Sequence, residues 1–238
     1  MTKLSVNINK IALIRNSRGS NLPDISKVAI DCERFGAEGI TVHPRPDQRH
    51  IKYDDIPILK SVVTTEFNIE GYPNKEFMDL VITNKPHQCT LVPDPPGVLT
   101  SDSGWDTIEH HHFLSEIVNE LKNNGIRVSL FLNPDLKMME GAAKVGTDRI
   151  ELYTGKYANK YTLNKEKAIS NHIETANLAK SFNIGVNAGH DLNLDNLRYY
   201  QEHITNLLEV SIGHAIVCDS IYYGLHNTIQ MYLNLLKK

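Results

Sequence analysis

A short β-branched run followed by a longer amphipathic segment recurs eight times along this chain of 238 residues, and this recurrence constrains the fold more than any other feature. The predicted strands are continuously apolar, which is typical of a parallel sheet covered on both faces. They are Leu4–Ile8, Ile40–His43, Phe67–Glu70, Cys89–Val92, Arg127–Leu132, Arg149–Leu152, Ile184–Ala188 and Leu208–Ile212. Eight βα units at this length predict one α/β domain over residues 1–238, a TIM barrel with a closed, parallel, eight-stranded sheet. A doubly wound open sheet is the competing fold, but no GxGxxG motif follows the first strand.

The segments between the strands have a helical period, and acidic residues stand where several of them begin. Asp24, preceded by a polar loop with Arg15 and Arg18, is predicted to cap the first helix, and Asp54 and Asp55 are predicted to open the second. The predicted helices run over residues 24–35, 54–63, 74–83, 107–123, 134–145, 165–182, 194–203 and 221–236. Two long loops are predicted to be lids or walls of a site, Pro93–Trp105 and Tyr153–Tyr161.

The composition limits the classes of partner and compartment. There are 25 lysines and arginines against 28 aspartates and glutamates, and the formal charge of −3 argues against a nucleic-acid-binding surface. Cys32, Cys89 and Cys218 have no paired spacing, which favours buried free thiols in a reducing compartment over disulfides or a zinc site. The N-terminus lacks the apolar stretch of a signal peptide, and no run reaches membrane-spanning length. We therefore expect a soluble cytoplasmic protein.

Polar and titratable side chains stand where the predicted strands end, and in a barrel this end carries the active site. They are Asn7, Asn9, His43, Glu70, Glu151, Asn187, His190, Gly213 and His214. Any one of them could be a satisfied structural group. Burying several ionisable groups at one end without a purpose is costly, however, so together they predict an active site.

Acid–base catalysis is the natural use of such a ring. His43 and Glu70 end neighbouring predicted strands, so we expect them to meet in space. Histidine titrates near neutral pH, and a nearby carboxylate can set its tautomer or share its proton. His190 is expected across the mouth of the barrel, where it can act on a different atom of a substrate. This arrangement suits a multistep reaction of enolisation, imine formation and dehydration.

Two groups of residues predict sites for anions. The glycines in Asn187–His190 and Ile212–Ala215 would let backbone N–H groups approach a phosphate, although a tight turn would equally use them. A second anion could be clamped by cationic side chains, since guanidinium matches the geometry of phosphate. These are Arg18, Arg45, Arg49 and His50, and solvated loop charge is the alternative interpretation.

A metal hydrolase is the other use of histidine and glutamate in a barrel. The first strand carries no His-x-His pair, and no HExxH motif occurs in the sequence. His110, His111 and His112 fall in a predicted helix, where consecutive residues point in different directions, and we interpret them as partly solvated. No GxSxG nucleophile motif is present either. We predict no metal site.

The sequence around these residues resembles the pyridoxine 5′-phosphate synthase family, which closes the pyridine ring in the deoxyxylulose-phosphate-dependent route to vitamin B6. The resemblance runs along essentially the whole chain, with its blocks in the family's order. The blocks are Val6-Asn7-Ile8, Arg15-Asn16-Ser17-Arg18-Gly19, Gly39-Ile40-Thr41-Val42-His43, Arg45, Arg49-His50-Ile51, Asn68-Ile69-Glu70, Leu91-Val92-Pro93, Val128-Ser129-Leu130-Phe131, Val186-Asn187-Ala188-Gly189-His190 and Ile212-Gly213-His214-Ala215-Ile216.

The resemblance implies a reaction without a cofactor. In it, 3-amino-2-oxopropyl phosphate condenses with 1-deoxy-D-xylulose 5-phosphate to give pyridoxine 5′-phosphate, phosphate and water. By this analogy His43 and Glu70 accept protons, His190 donates a proton, and Glu151 stabilises a transition state. The family is a TIM barrel with extra helices and assembles as a homo-octamer, which is what the resemblance implies for this chain.

The same resemblance assigns the binding residues. The phosphate of the amino ketone would be held by Asn7, Arg18, Asp191, Gly213 and His214. The deoxyxylulose phosphate would be held by Asn9, Lys10, Arg45, His50 and Thr100. Arg49 is left as loop charge or a subunit contact.

The chain departs from the family at three of these positions. Asn9-Lys10 replaces the usual Asp-His, and Asp191 replaces the glycine that usually follows the histidine. Lys10 can bind a phosphate but cannot shuttle protons at neutral pH, and the Asp191 carboxylate would repel a phosphate unless it is turned away. Two alternatives remain, a phosphosugar isomerase or epimerase that uses His43 and Glu70, and a ligand-binding relative without activity.

Overall fold

Eight parallel strands form one closed barrel within residues 1–94 and 103–237, the part of the chain that the computed structural model describes. Each strand pairs with its neighbours in chain order, and the eighth returns to the first, where Lys3 faces Glu209 and Val6 faces Ile212. The strands are β1 (Lys3–Asn7), β2 (Gly39–Val42), β3 (Glu66–Gly71), β4 (Gln88–Leu91), β5 (Arg127–Leu132), β6 (Arg149–Leu152), β7 (Gly185–Gly189) and β8 (Leu207–Ile212). The predicted TIM barrel is confirmed.

The strands are apolar along their whole length because both of their faces are covered. Every residue of β2, β4 and β7 is buried. A strand with one face in water would alternate apolar and polar residues, whereas these bury both sets. This continuity made the strands predictable: β5 and β6 have the predicted bounds, and the ends of the others differ from the prediction by one residue.

Helices surround the sheet and bury one face each against it. In the fifth of them, for example, Leu114, Val118 and Leu121 are buried at the spacing of an amphipathic helix. The helices of the described residues are α1 (Asn9–Asn16), α2 (Ile25–Arg34), α3 (Asp55–Val62), α4 (Lys75–Asn84), α5 (His111–Asn123), α6 (Leu136–Val145), α7 (Gly155–Tyr161), α8 (Lys165–Ser181), α9 (Leu197–His203), α10 (His214–Tyr223) and α11 (Leu225–Leu236).

The two predicted acidic helix starts have different roles in the structure. Asp24 caps α2 as predicted, since its carboxylate accepts hydrogen bonds from the amides of Ser26 and Lys27 at 2.9 and 3.2 Å. Asp54 occupies the N-cap of α3 but makes no capping hydrogen bond. Asp55 instead forms a buried two-bond ion pair with Arg15, both at 2.8 Å. This pair ties α1 to α3.

The prediction of a polar loop before Asp24 is wrong over most of the first half of that segment, where the chain forms α1. The segment reads as polar because it contains asparagine, lysine and arginine. Ile11 and Ala12 are nevertheless buried, and the buried charge of Arg15 is compensated by Asp55. Arg15 and Asp55 are 40 residues apart in the sequence, and a local sequence pattern does not predict such a contact.

The prediction of a long loop after β6 is also wrong, because helix α7 occupies Gly155–Tyr161. Tyr157 anchors this short helix: it is fully buried, packs against Tyr200, and donates a hydrogen bond to the carbonyl of Asn196 at 2.8 Å. Of the loop predicted after β4, residues 95–102 lie outside the described residues, and Thr100 is among them.

Two other predicted helices differ from those in the structure: one begins later along the chain, and one is divided in two. The helix predicted from Thr107 begins at His111, and Thr107 is a buried turn residue that donates to the carbonyl of Met138. The helix predicted over residues 221–236 is two helices, α10 and α11, separated by Gly224 at φ 75°. His110, His111 and His112 are exposed, as predicted.

Two further expectations concern thiols and membranes. Cys32 and Cys89 are buried free thiols, and Cys218 is a half-buried one. Within residues 1–94 and 103–237, no helix has the length and hydropathy that crossing a membrane requires.

Candidate active site

A cavity of about 470 Å³ opens at the carboxyl ends of the strands, where the sequence predicted an active site. Predicted site residues from six strand ends and the loops beyond them line it together. They are Asn7, Asn9, Lys10, His43, Arg45, Glu70, Glu151, His190, Asp191, Gly213 and His214. Val92, Phe131, Asn193, Ser211 and Ala215 complete the wall.

His43 and Glu70 face each other on neighbouring strands, as predicted. The Nδ1 atom of His43 lies 3.9 Å from Oε2 of Glu70, which is too far for a direct hydrogen bond. Two asparagines position the pair. Asn9 accepts a hydrogen bond from the backbone N–H of His43 at 2.9 Å, and Asn7 donates its amide to Glu70 at 3.3 Å. A small reacting group can therefore enter between two fixed side chains.

Burial sets the ionisation of this pair. It lowers the pKa of His43 well below its usual range, and the charges of Arg45, His50 and Arg49 lower it further. It also raises the pKa of Glu70 to about 8, a shift opposed by Arg45 and assisted by Glu209 and Asp94. A neutral imidazole able to accept a proton thus stands beside a carboxyl group that titrates close to neutral pH.

Glu151, on β6, is the most deeply buried carboxyl group of the cavity wall. It is 4% exposed, and its Oε2 atom has no hydrogen-bond partner among the residues that the structure describes. Burial raises its pKa well above the usual range, Glu70 adds to the rise, and His190 opposes it. Burial therefore favours the protonated form of Glu151, which can donate a hydrogen bond into the cavity.

His190 follows β7 and presents the opposite ionisation. Its backbone is left-handed, with φ 49°, and its Nδ1 atom lies 2.7 Å from Oδ2 of Asp191. Burial disfavours the charged imidazolium, but the hydrogen bond and charge of Asp191, with Glu151 and Asp94, raise the pKa of His190. The ring is edge-on to Tyr153 at a centroid distance of 5.9 Å. A histidine whose charged form is favoured thus faces, across the cavity, a histidine whose neutral form is favoured.

The predicted anion site after β8 is the N-terminus of a ten-residue helix. Gly213 is the N-cap of α10 and His214 is its first residue. A Cβ atom at position 213 would lie 2.9 Å from the carbonyl oxygen of Asn7, so only glycine fits without displacement of β1. The unpaired N–H groups of a first helical turn and the helix dipole favour an anion there.

The second predicted anion site is a cationic wall after β2. Arg45 is buried and pairs with Asp94 at 3.0 Å. His50 does not line the cavity but is buried next to it, with its ring 6.3 Å from that of His43. Burial lowers the pKa of His50 to about 4, as do the charges of Arg45, Arg49 and Lys10, against the opposing charge of Asp47. The cationic side chains of Arg45, Arg49 and Lys10 lie close enough to His50 to disfavour a further positive charge there.

Two predicted cations lie away from the cavity. Arg18 is exposed on the turn after α1 and does not line the cavity of its own chain. Arg49 pairs with Asp47 at 2.6 Å, in keeping with the interpretation of Arg49 as loop charge. Among the described ion pairs, none joins Lys10 to Asp191, although both side chains line the cavity.

Sequence reasoning missed several residues that shape the site. Asp94 pairs with Arg45, and Thr154 donates to the carbonyl of Gly189 and accepts the amide of Asp191. Both stand within three residues of a strand's carboxyl end, the position that identified the other site residues. Applying the strand-end rule to every strand would have included them. Over residues 1–94 and 103–237, no three His, Cys, Asp or Glu side chains group as a metal site would require.

The family model of the pyridoxal phosphate biosynthesis protein PdxJ matches residues 4–238 of this chain. The chain belongs to the PdxJ family. Two PdxJ relatives named pyridoxine 5′-phosphate synthase match over their full lengths and the full length of this chain. The protein of Cytophaga hutchinsonii is 62% identical over 238 residues, and that of Flavobacterium johnsoniae is 55% identical over 237. The resemblance seen in the sequence is confirmed.

Solved structures of other enzymes share the barrel of this PdxJ member. Phosphoribosylanthranilate isomerase from Thermotoga maritima superposes with a TM-score of 0.62 at 13% identity, covering 99% of this chain and 98% of that one. The isomerase from Pyrococcus furiosus gives 0.62 at 9% identity with the same coverage. At such identities the likeness shows the fold alone.

Proposed function

We propose that this chain condenses 3-amino-2-oxopropyl phosphate with 1-deoxy-D-xylulose 5-phosphate to give pyridoxine 5′-phosphate, phosphate and water. The observation that carries the proposal is the pairing of opposite ionisation states in one cavity. On one side, burial favours neutral His43 and raises the pKa of Glu70 to about 8; on the other, Asp191 favours the charged form of His190, and burial favours the protonated form of Glu151. Ring closure between two carbonyl compounds needs proton acceptors and donors at different atoms, and this cavity offers both.

The residues divide the proton transfers by position. His43 and Glu70 lie on one wall and accept protons from carbon or nitrogen as the enol and imine form. His190 lies on another wall and protonates a leaving oxygen, which becomes water. Glu151 donates a hydrogen bond to charge developing on a nearby oxygen, since its own proton is retained. The chain needs no cofactor for these steps, because each is an acid–base step.

Two substrates that each carry a phosphate need two anion sites. Gly213 and His214 at the start of α10 support one, which we assign to the amino ketone together with Asn7, Arg18 and Asp191. We assign the deoxyxylulose phosphate to Asn9, Lys10, Arg45, His50 and Thr100. The backbone N–H of Asp191 already donates to Thr154, so phosphate binding at that position would require it to be shared.

The decisive experiment mixes the purified protein with both substrates and measures pyridoxine 5′-phosphate and released phosphate. We expect both products in equal amounts, and a loss of at least ~10² in rate for Glu70→Gln and for His43→Asn. No product from folded protein with intact substrates would overturn the proposal. Solvent hydrogen exchange into a single sugar phosphate, without the amine, would instead indicate an isomerase.

We further propose that the chain works in the cytoplasm as a single folded domain within a homo-octamer, as the family resemblance implies. Large apolar side chains on the surface of α10 support assembly: Ile221 is 75% exposed and Tyr222 is 82% exposed. Light scattering on the eluting protein is expected to give about eight times the chain mass of 26.9 kDa. A monomer or dimer at assay concentration would contradict this proposal alone.

A further inference from the structure

The carboxylate of Asp191 is the closest described acidic partner of His190. Its Oδ2 atom lies 2.7 Å from Nδ1 of His190, and both side chains are about one-third exposed, at 35% and 37%. The distance is that of a charge-assisted hydrogen bond. Both residues line the cavity, so the pair stands at the wall that substrates contact.

The backbone of Asp191 is held on both sides, which places its side chain next to His190. Its N–H donates to Oγ1 of Thr154 at 3.2 Å, and its carbonyl accepts from Nδ2 of Asn196, also at 3.2 Å. Thr154 and Asn196 are themselves buried, at 0% and 2% exposure. Tyr157 on α7 anchors Asn196 in turn. The partner of His190 is therefore part of a rigid support.

We propose that Asp191 is a positioning residue that keeps the Nδ1 atom of His190 protonated and aims its Nε2–H at the substrate. The assignment of His190 as proton donor rests on the proposed function, whereas the Asp191–His190 pair is a property of the free protein. In the donating step the Nε2–H bond breaks and the proton passes to the leaving oxygen of the substrate. The neutral ring then keeps its Nδ1–H bonded to Asp191, and Nε2 regains a proton from solvent before the next turnover.

Other groups around His190 do not replace this contact. Glu151 faces the ring from β6 and Asp94 from the segment after β4, and both favour the cation. Tyr153 meets the ring edge. Within residues 1–94 and 103–237, the remaining titratable groups of the cavity wall are Lys10, His43, Arg45, Glu70 and His214. Among the groups that influence the pKa of His190, Asp191 supplies the side-chain hydrogen bond.

The first test is nitrogen NMR of the His190 ring in the unliganded protein as pH is raised, which needs no turnover. In the wild-type protein we expect the neutral ring to be the Nδ1–H tautomer and the pKa to lie above that of an ordinary histidine. Asp191→Asn keeps a hydrogen-bond acceptor but removes the charge, so the tautomer should persist while the pKa falls. Asp191→Gly should lose both the preference for the Nδ1–H tautomer and the raised pKa of His190. A matched control is Asp195→Asn, which removes a charge from an exposed position of the same loop and should change neither.

The second test follows product formation against pH with the same variants. An acid must be protonated to act, so loss of the Asp191 charge should move the alkaline limb to lower pH and cost about tenfold in rate near pH 8. An unchanged tautomer, pKa and alkaline limb in Asp191→Asn and Asp191→Gly would overturn the inference while leaving the synthase intact. Absence of product, with the NMR signature present, would instead overturn only the proposed function.

Discussion

At the scale of single side chains, the pKa values of the titratable groups in the cavity are set by how exposed each group is and, for His190, by the neighbouring carboxylate of Asp191. His43, Glu70 and Glu151 are deeply buried, and burial favours the neutral form of each. His190 is more accessible and has a carboxylate in contact, so its charged form is favoured instead. The pKa values of histidines on two walls of one cavity are thereby shifted in opposite directions.

The raised pKa of Glu70 predicts an unusual ascending limb in the pH profile. With a pKa of about 8, roughly a tenth of this carboxyl group is ionised at pH 7 in the free protein. If ionised Glu70 accepts a proton, kcat/KM should rise steeply between about pH 6 and 8 and fall again where His190 loses its proton. Initial rates of pyridoxine 5′-phosphate formation across this range measure it. A flat profile would remove Glu70 from the role of proton acceptor.

The buried proton of Glu151 predicts a change in stability with pH. Its folded pKa lies above its unfolded pKa, so the folded protein holds a proton that the unfolded chain releases. The favourable contribution is complete below the unfolded pKa and is lost as pH rises toward the folded one, by about 1.4 kcal/mol per pH unit. Glu151→Gln removes this slope, so its urea midpoint should fall less than that of the wild type between about pH 5 and 7. Parallel curves for the two proteins would contradict this.

The sequence could predict which residues gather at the barrel mouth but not their pairings. His43, Glu70, Glu151 and His190 share the carboxyl end of parallel strands, and that rule alone brings them together. The contact of Asp191 with His190 depends on a left-handed backbone at His190 and on support from Thr154. Such geometry comes from tertiary packing, which no local pattern encodes.

At the scale of elements, the helix starts show that an acidic residue acts only when its geometry allows it. Asp24 has extended backbone angles and bonds two amides of α2, whereas Asp54 is already helical and bonds none. The sequence marks both positions alike. The helices α1 and α7 were missed for a related reason, because each is held by partners distant in sequence, Asp55 and Asn196.

This difference predicts unequal effects of the same substitution. Asp24→Ala removes a cap and should cost about 1 kcal/mol in the free energy of unfolding. Asp54→Ala, the matched control, should cost only a few tenths of a kcal/mol, from the loss of a favourable charge near the helix start. Urea denaturation of both variants at the same pH measures the difference, and equal losses would show that the cap is not stabilising.

At the scale of the whole molecule, the charged side chains at the two ends of the barrel interior are arranged differently. The end opposite the cavity contains Glu66, Arg127, Arg149 and Glu209, which come from the first residues of β3, β5 and β6 and from β8. Arg127 pairs with Glu66, and Arg149 lies 3.8 Å from Glu66 and 3.9 Å from Glu209. These pairs fill the interior there. The carboxyl end keeps its space for ligands.

The close packing of β7 against β8 predicts that an added side chain at the mouth of the barrel lowers the stability of the fold. A Cβ atom at Gly189 would overlap the backbone carbonyl oxygen of Ser211, so Gly189→Ala must push the two strands apart. We expect a loss of about 1–3 kcal/mol and a lower thermal midpoint. Gly185→Ala, on the same strand, would meet side-chain atoms of Leu208 and Arg149 but no backbone atom, and should be milder. The reverse order of midpoints would contradict the close approach at Gly189.

The pairing of β1 with β8 has a consequence during synthesis of the chain. Lys3 to Val6 leave the ribosome long before Glu209 to Ile212, which are their partners on one side. Until those residues emerge, one edge of β1 has no strand to bond, and exposed strand edges invite association with other chains. The last quarter of the chain therefore does more than add catalytic groups. It completes the sheet that protects every earlier strand from its neighbours in a polysome.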